Sequence, residues 1–143
     1  RVEIERRPTR AVAQSVLEQG ADYCGQIRGA ITQTVEHFRE GRADKGNELL
    51  ADVTDSLTVL TGITYSVASI LIEAAQQLAA LQGEIFPWLE ELVAAQGDAD
   101  PLRIADLLEY EIEPRIEEWG IVMRAMSKGE SLAETAGEPP LSN

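Results

Sequence analysis

The chain has 143 residues, of which 44% are hydrophobic, and this predicts one globular domain with its own core. The 25 acidic and 12 basic residues give a formal net charge of −13, and so negative a surface repels nucleic acid and anionic lipid. The most apolar stretch, residues 63–81, is interrupted by Glu73 and several polar residues, so we predict no membrane span. The one cysteine, Cys24, excludes an internal disulfide and indicates a cytoplasmic protein.

The N-terminal region is predicted to be a basic arm followed by a helix. Residues 1–8 contain several arginines, and Pro8 is expected to stop any helix from running back through it. Apolar residues recur at helical spacing over residues 9–40, which predicts the first helix. Gly20 falls on this stripe and suggests a bend or the close approach of another helix. Gly41 supplies the left-handed position at which a helix commonly ends.

The middle of the chain predicts a long second helix over residues 44–82. Leucine and valine continue the apolar stripe, but Gly62 and its β-branched neighbours weaken helix propensity. The segment is therefore either one helix bent near Gly62 or two stacked helices. Gly83 is expected to end it.

The last third predicts two more helices. Pro87 suits the first turn of a short helix over residues 85–96. Asp100 followed by Pro101 is a strong start signal for a helix over residues 101–126. Residues 130–143 are small, polar and proline-containing and predict a C-terminal tail. The whole chain is thus predicted to be a single all-α domain, an antiparallel bundle of about four helices.

The residue pattern shows none of the motifs that would predict catalysis or a cofactor. There is no glycine-rich phosphate loop, and one histidine with one cysteine cannot build a zinc site. His37 lacks the glutamate three residues before it that a di-iron bundle requires. Paired glutamates such as Glu90–Glu91 lack the further carboxylates of a magnesium pyrophosphohydrolase. We therefore predict a non-enzymatic protein with no metal and no cofactor.

The segment 106–119 is the most distinctive part of the chain. At 100° per residue, Asp106, Glu109, Tyr110, Glu113 and Glu117 fall on one side of a helix. Pro114 interrupts this pattern, and it is expected to kink the helix, to leave the Tyr110 carbonyl unbonded and to push Glu113 from helical angles. The charged side is either a docking surface for a partner or a solvated surface on a helix that wraps the bundle.

Two resemblances follow from these segments. The run Ala105–Trp119, with Leu-Leu-Glu-Tyr-Glu, a proline and Glu-Glu-Trp, resembles a segment of small uncharacterised helical proteins of Gram-positive bacteria. This resemblance implies a helical fold and no particular activity. Residues 27–60, with their spaced Ile, Val and Leu, and residues 102–119 are similar to parts of the flagellin-specific export chaperones. That resemblance implies a small acidic four-helix bundle.

Three functional hypotheses remain open at this point. The first is a module that binds another protein, a chaperone-like binder of amphipathic helices, through exposed apolar residues of the second helix such as Val59, Ile63 and Val67. The second is a structural homodimer formed by the long second helix. The third is a small-ligand binder or enzyme that combines His37 with Glu109, Tyr110 and Glu113.

Overall fold

Four helical rods make up the part of the chain that the structure describes. The computed structural model describes residues 2–129, with side chains from Arg10 onward. The rods are α1 (Val2–Arg39), α2 (Ala43–Ile70), α3 (Ile72–Gly97) and a fourth rod of three consecutive segments, namely α4 (Pro101–Asp106), a π-helix (Leu107–Ile112) and α5 (Glu113–Ser127). The predicted all-α bundle of about four helices is confirmed. The predicted tail, residues 130–143, lies outside the described residues.

Contacts between the rods show an up-down-up-down arrangement. Asp22 in the middle of α1 pairs with Arg124 near the end of the fourth rod, and Arg39 at the C-terminal end of α1 pairs with Asp106 near the start of that rod, so α1 and the fourth rod are antiparallel. The fourth rod is also antiparallel to α3, whose C-terminal part pairs with the first turn of that rod through Glu91 and Arg103. α1 packs extensively on both α2 and the fourth rod, whereas the packing of α2 on α3 is much sparser.

Buried side chains recur at alternating intervals of three and four residues along the rods. This spacing is typical of helices that pack at shallow angles with interlocking side chains. In α1 the buried series is Ala13, Leu17, Gly20, Cys24, Ile27, Ile31, Thr34 and Phe38. In α2 and the following residue it is Gly46, Leu50, Val53, Leu57, Leu60, Thr64, Val67 and Leu71. At Gly20 an added Cβ would lie 2.6 Å from the Met123 methyl group, so the predicted close approach of another helix is confirmed.

Two predicted helix boundaries are confirmed by their hydrogen bonds. Gly41 has φ +82°, and the Arg42 and Gly41 N–H groups donate to the His37 and Phe38 carbonyls, which closes the end of α1. Asp100 caps α4, because its carboxylate accepts a hydrogen bond from the Arg103 N–H at 3.2 Å.

The prediction that Pro8 stops the first helix is wrong. α1 begins at Val2 rather than near residue 9, so the backbone of the predicted arm is helical from Val2 onward. A proline in a helix removes one N–H donor, and near the start of a helix most neighbouring bonds remain. From Ala13 onward, α1 has regular core packing at three- and four-residue spacing, which stabilises the helix despite the local cost of Pro8.

Of the two alternatives for residues 44–82, the structure has two helices rather than one bent helix, but the predicted position of the break near Gly62 is wrong. Gly62 lies inside α2, exposed to solvent, and the chain reverses at Leu71, where φ is −106° and ψ is 95°. Leu71 is itself buried, so its side chain continues the core spacing while its backbone leaves the helix. The Ser69 hydroxyl donates to the Ser66 carbonyl just before the turn, a local bond that competes with helix continuation.

Gly83 and Pro87 lie within α3 and do not mark a boundary between two helices. α3 runs from Ile72 to Gly97 with Pro87 inside it. A proline deprives the carbonyl four residues earlier of its partner, and here that carbonyl belongs to Gly83. Both residues are exposed, so water can bond the carbonyl, and Gly83 has no side chain to crowd the proline ring. The helix therefore continues at little cost.

The fourth rod contains one residue more than regular core spacing allows. Its buried series is Ile104, Leu108, Ile112, Ile116, Trp119, Met123 and Met126. The first three steps are all four residues, and in a regular α-helix each such step overshoots a full turn by roughly 40°. The π-helix absorbs the excess, because the Glu113 N–H donates to the Leu108 carbonyl five residues back. Ile112 and Ile116 consequently stay fully buried.

The π-helix also changes the expected effect of Pro114. Pro114 lies in the first turn of α5, where a missing N–H costs little, and Glu113 keeps helical angles with φ −58° and ψ −46°. The expectation that Pro114 would push Glu113 out of the helix is therefore wrong. The π-helix and Pro114 are adjacent. After them, α5 continues with its apolar residues, from Ile116 to Met126, facing the core.

Removing one residue from the π-helix should restore regular spacing. In a Pro114→Ala background, which removes the proline's own cost, we expect deletion of Tyr110 to change the free energy of unfolding by less than about 1 kcal/mol. Deletion of Glu118 in the same background turns Trp119 and Met123 away from the core and should cost at least about 3 kcal/mol. Urea unfolding measures both, and equal losses in the two deletions would contradict the one-residue insertion.

Candidate interaction surfaces

The acidic side of the fourth rod lies against arginines of α1. Arg39 Nη2 donates to Asp106 Oδ1 at 2.9 Å and to Glu109 Oε1 at 2.7 Å. Arg28 Nε donates to Glu113 Oε2 at 2.6 Å. A second nitrogen of Arg28 lies 3.7 Å from the Glu117 carboxylate. We call this set of ion pairs the α1–fourth-rod seam.

The seam contains the charged residues that the sequence analysis singled out. Glu109, Glu113 and Glu117 do lie together on one surface, as predicted, but each is paired with an arginine across the helix boundary. The hydrogen bond with Glu113 is the main reason that the pKa of Arg28 lies above its ordinary value. Carboxylates that are engaged in this way connect α1 to the fourth rod and have less capacity for a partner.

Tyr110 lies at the outer border of the seam. Its side chain is 62% exposed, and the Arg39 guanidinium carbon lies 5.9 Å from the centre of its ring. This distance is compatible with a weak cation–π interaction, which favours one orientation of the ring. Tyr110 is thus available to solvent on one side while Arg39 covers the other.

His37 does not join the carboxylates of the seam. Its Nδ1 accepts a hydrogen bond from Arg42 Nε at 2.8 Å. His37 and Arg39 are two residues apart on α1 and therefore point roughly 200° apart around the helix axis. Because Arg39 faces Asp106 and Glu109, His37 points to the opposite side, towards α2. The constellation of His37 with Glu109, Tyr110 and Glu113 that an enzyme would need is not formed.

A groove of about 410 Å³ runs between α1 and the fourth rod beside the seam. Cys24, Gly25, Gly120 and Ile121 are among its lining residues. Burial raises the pKa of the Cys24 thiol to about 12, and the nearby Arg28 charge offsets this only in part. A thiol with so high a pKa is protonated at neutral pH and is a poor nucleophile. The groove could therefore hold a ligand by its shape, but Cys24 does not give it a reactive group.

A second surface lies on the sparsely packed side of the bundle, between α2 and α3. One side of α3 faces the fourth rod through Trp88 and Glu91, and one side of α2 faces α1 through Ile63. The other sides of the two helices face solvent and the neighbouring helix of the α2–α3 pair. Their side chains, which we call the α2–α3 face, are Ala51, Thr54, Thr58, Thr61, Tyr65 and Ala68 of α2 and Ile72, Ala75, Ala79, Gln82, Phe86, Leu89 and Val93 of α3.

The α2–α3 face contains no charged residue and exposes large apolar side chains. Tyr65 is 77% exposed, Phe86 58% and Val93 67%, while Leu89 is half-buried. A contiguous apolar surface of this kind on a highly charged protein commonly marks a binding site. The α2–α3 face is therefore the stronger candidate surface.

The threonines of the α2–α3 face are less polar than their composition suggests. The hydroxyls of Thr54, Thr58 and Thr61 donate to the carbonyls four residues earlier, at 3.0, 3.2 and 3.0 Å. Each hydroxyl is thus satisfied within its own helix, which leaves the methyl group to contact anything that covers the surface. A partner can cover these threonines without supplying hydrogen bonds.

The apolar residues proposed from the sequence fall on α2 but not on this face. Val59 is 50% exposed, as expected, and it lies on the flank of α2 nearer α1. Ile63 is half-buried, with its Cγ2 3.4 Å from the Cβ position of Gly20. Val67 is buried, so its expected exposure is wrong: it occupies one of the core positions of α2. Tyr65, Phe86 and Val93, which the α2–α3 face exposes, were not among the residues named from the sequence.

Two general features bear on what the described residues can bind. None of the described helices has the length and apolar composition that crossing a bilayer requires. Within residues 10–129, no three His, Cys, Asp or Glu side chains are grouped so that they could hold a metal ion.

Comparison with known proteins gives one match. The model of a family described as a domain of unknown function (DUF8042) matches residues 15–121. The matched range begins in α1 and ends in α5, so it contains the α2–α3 face and the whole seam. No curated protein and no solved structure matches the chain.

Burial of Cys24 predicts a loss of stability at high pH. The pKa of the thiol is about 12 in the folded protein against 9.0 for the free group, so the folded state holds its proton more tightly. Between these values the free energy of unfolding should fall by up to about 1.4 kcal/mol per pH unit. Urea unfolding at pH 8, 9 and 10 should show this additional slope in the parent and not in Cys24→Ala. Identical slopes would contradict the prediction.

Proposed function

We propose that this chain, which belongs to the DUF8042 family, is a non-enzymatic protein-interaction module whose α2–α3 face binds an amphipathic helix of a partner protein. The observation that carries the proposal is the uncharged α2–α3 face with its internally bonded threonines. Covering this surface with apolar groups is favourable, because the threonine hydroxyls keep their hydrogen bonds within α2 when water is excluded.

The parallel run of apolar side chains on two antiparallel helices favours a helix as the partner element. An amphipathic helix can lie along such a boundary with anchors three and four residues apart. From Thr54 to Ala68 the boundary extends over roughly 21 Å, which corresponds to about four turns of a bound helix. Tyr65 and Phe86, one on each helix, are the large side chains that such anchors would contact.

The resemblance of residues 27–60 and 102–119 to flagellin-specific export chaperones supports the same class of function. It suggests a small acidic bundle that holds a helical segment of another protein. The proposal includes a cytoplasmic location, which the single free and buried cysteine supports.

A synthetic helix tests the proposal directly. The probe is an 18-residue fluorescein-labelled peptide with leucines along one side and glutamines elsewhere, and anisotropy measures its binding. We expect a Kd on the order of 10 µM, and we expect Phe86→Asp to weaken binding at least about tenfold, because the bound helix would cover an unpaired charge.

Ile121→Asp is the matched control. Ile121 is 52% exposed and lines the groove beside the seam, so the substitution introduces the same charge elsewhere on the surface. We expect it to leave the Kd unchanged within about twofold. Failure of the parent to bind, or equal weakening by both substitutions, would refute the assignment of the α2–α3 face.

A further inference from the structure

We propose that the partner helix of the α2–α3 face is cationic, with Lys or Arg along both borders of its apolar side, and that Asp55 and Glu90 select it. The inference rests on the proposed function and deepens it. It starts from the distribution of charge between the two halves of the bundle.

The hairpin of α2 and α3 contains no basic residue after Lys45. From Gly46 to Gly97 the sequence has seven acidic residues and no Lys, Arg or His. α1, in contrast, contains Arg28 and Arg39, which form the seam with the fourth rod. The two halves therefore differ: α1 and the fourth rod contain arginines that pair with several of their own carboxylates, whereas the hairpin has no Lys, Arg or His after Lys45.

Three of the hairpin carboxylates are neutralised by residues outside residues 46–97. Glu48 pairs with Lys45, Glu73 with Arg10 and Glu91 with Arg103. The other four make no ion pair with any residue whose side chain the structure describes, and these are Asp52, Asp55, Glu84 and Glu90. Among the residues whose side chains the structure describes, none supplies a cation to these four carboxylates.

Asp55 and Glu90 lie on opposite borders of the α2–α3 face. Asp55 follows the core residue Val53 by two positions, and Glu90 follows Trp88, which packs half-buried against the core, by two positions. Each carboxylate therefore lies on the side of its helix that points away from the bundle interior. Asp55 lies 16 residues before the reversal at Leu71 and Glu90 lies 19 residues after it, so their heights differ by only about 5 Å. A helix bound along the α2–α3 boundary would therefore pass between two carboxylates.

The same charges argue against a second copy of this chain as the occupant. Two α2–α3 faces placed together would bring together carboxylate borders that contain no Lys or Arg, on molecules with a net charge of −13 each. Like charges across an interface oppose association, whereas Lys and Arg beside an apolar strip complement it. The occupant that fits both the apolar strip and its borders is a basic amphipathic helix of another protein.

Three peptides with leucines along the same side of the helix separate the contribution of charge to binding from that of apolar contact. Their polar positions are all Lys, all Gln or all Glu, and anisotropy measures each Kd at 50 and 500 mM NaCl. We expect the Lys peptide to bind about tenfold more tightly than the Gln peptide at 50 mM NaCl, and the Glu peptide to bind more weakly than both. At 500 mM NaCl the advantage of Lys should shrink to about twofold, because exposed charges are screened.

The variant Asp55→Asn/Glu90→Gln tests whether these two carboxylates are responsible. We expect it to reduce the preference for Lys over Gln about fivefold while leaving the Gln peptide's Kd unchanged within about twofold. The control Glu36→Gln/Glu118→Gln removes the same charge from two exposed carboxylates, on α1 and α5, that form no ion pair with described residues. It should leave the preference intact.

The outcomes separate this inference from the proposed function. If the Gln peptide binds and Phe86→Asp weakens it, but the three peptides bind equally, only the charge selection is wrong. Equal loss of preference in both carboxylate variants would mean that overall charge, and not Asp55 and Glu90, attracts the peptide, and would also overturn the inference. If none of the three peptides binds, the proposed function fails as well.

Discussion

Packing of α1 against two neighbours at once is the constraint on which the rest of the structure depends. Its core positions, spaced alternately by three and four residues, face the bundle interior, while one flank contacts α2 and the other contacts the fourth rod. Small residues allow this: Gly20 lies against Met123 and Ile63, and the Gly120 Cβ position is 3.1 Å from the Cys24 Cβ. Because both neighbours approach α1 closely, α3 is left with less extensive contacts and one flank open.

The spacing of apolar residues predicted the helical class and several helix ends, and it also concealed where the chain turns. Buried positions, with the half-buried Trp88 included, continue at three- and four-residue intervals from Gly46 through Leu71 to Ala95, although the chain reverses direction at Leu71. A hairpin that keeps its turn residue in the core produces the same pattern as one long helix. The glycines that looked like breaks, Gly62 and Gly83, are exposed and tolerated, because an exposed glycine costs propensity alone and no packing.

The sequence indicates the π-helix by an irregular spacing of apolar residues. Ile104, Leu108, Ile112 and Ile116 are all four residues apart, one residue more than the alternation used elsewhere in the bundle. A charged, amphipathic segment around Pro114 invited interpretation as a docking surface, but Arg28 and Arg39 of α1 pair with its carboxylates. Which arginine meets which glutamate depends on the relative position of two helices, and a single sequence does not contain that information.

The α2–α3 face could have been found from pairs of adjacent apolar residues. Leu71–Ile72, Ile85–Phe86 and Leu92–Val93 each place one residue in the core and the next beside it, so the apolar stripe of α3 is wider than one neighbouring helix covers. The seam connects α1 to the fourth rod by ion pairs as well as by packing, whereas α2 packs much more sparsely on α3 and large apolar side chains stay exposed beside that boundary. A bundle built in this way can keep one boundary open, because its stability rests on contacts that lie elsewhere.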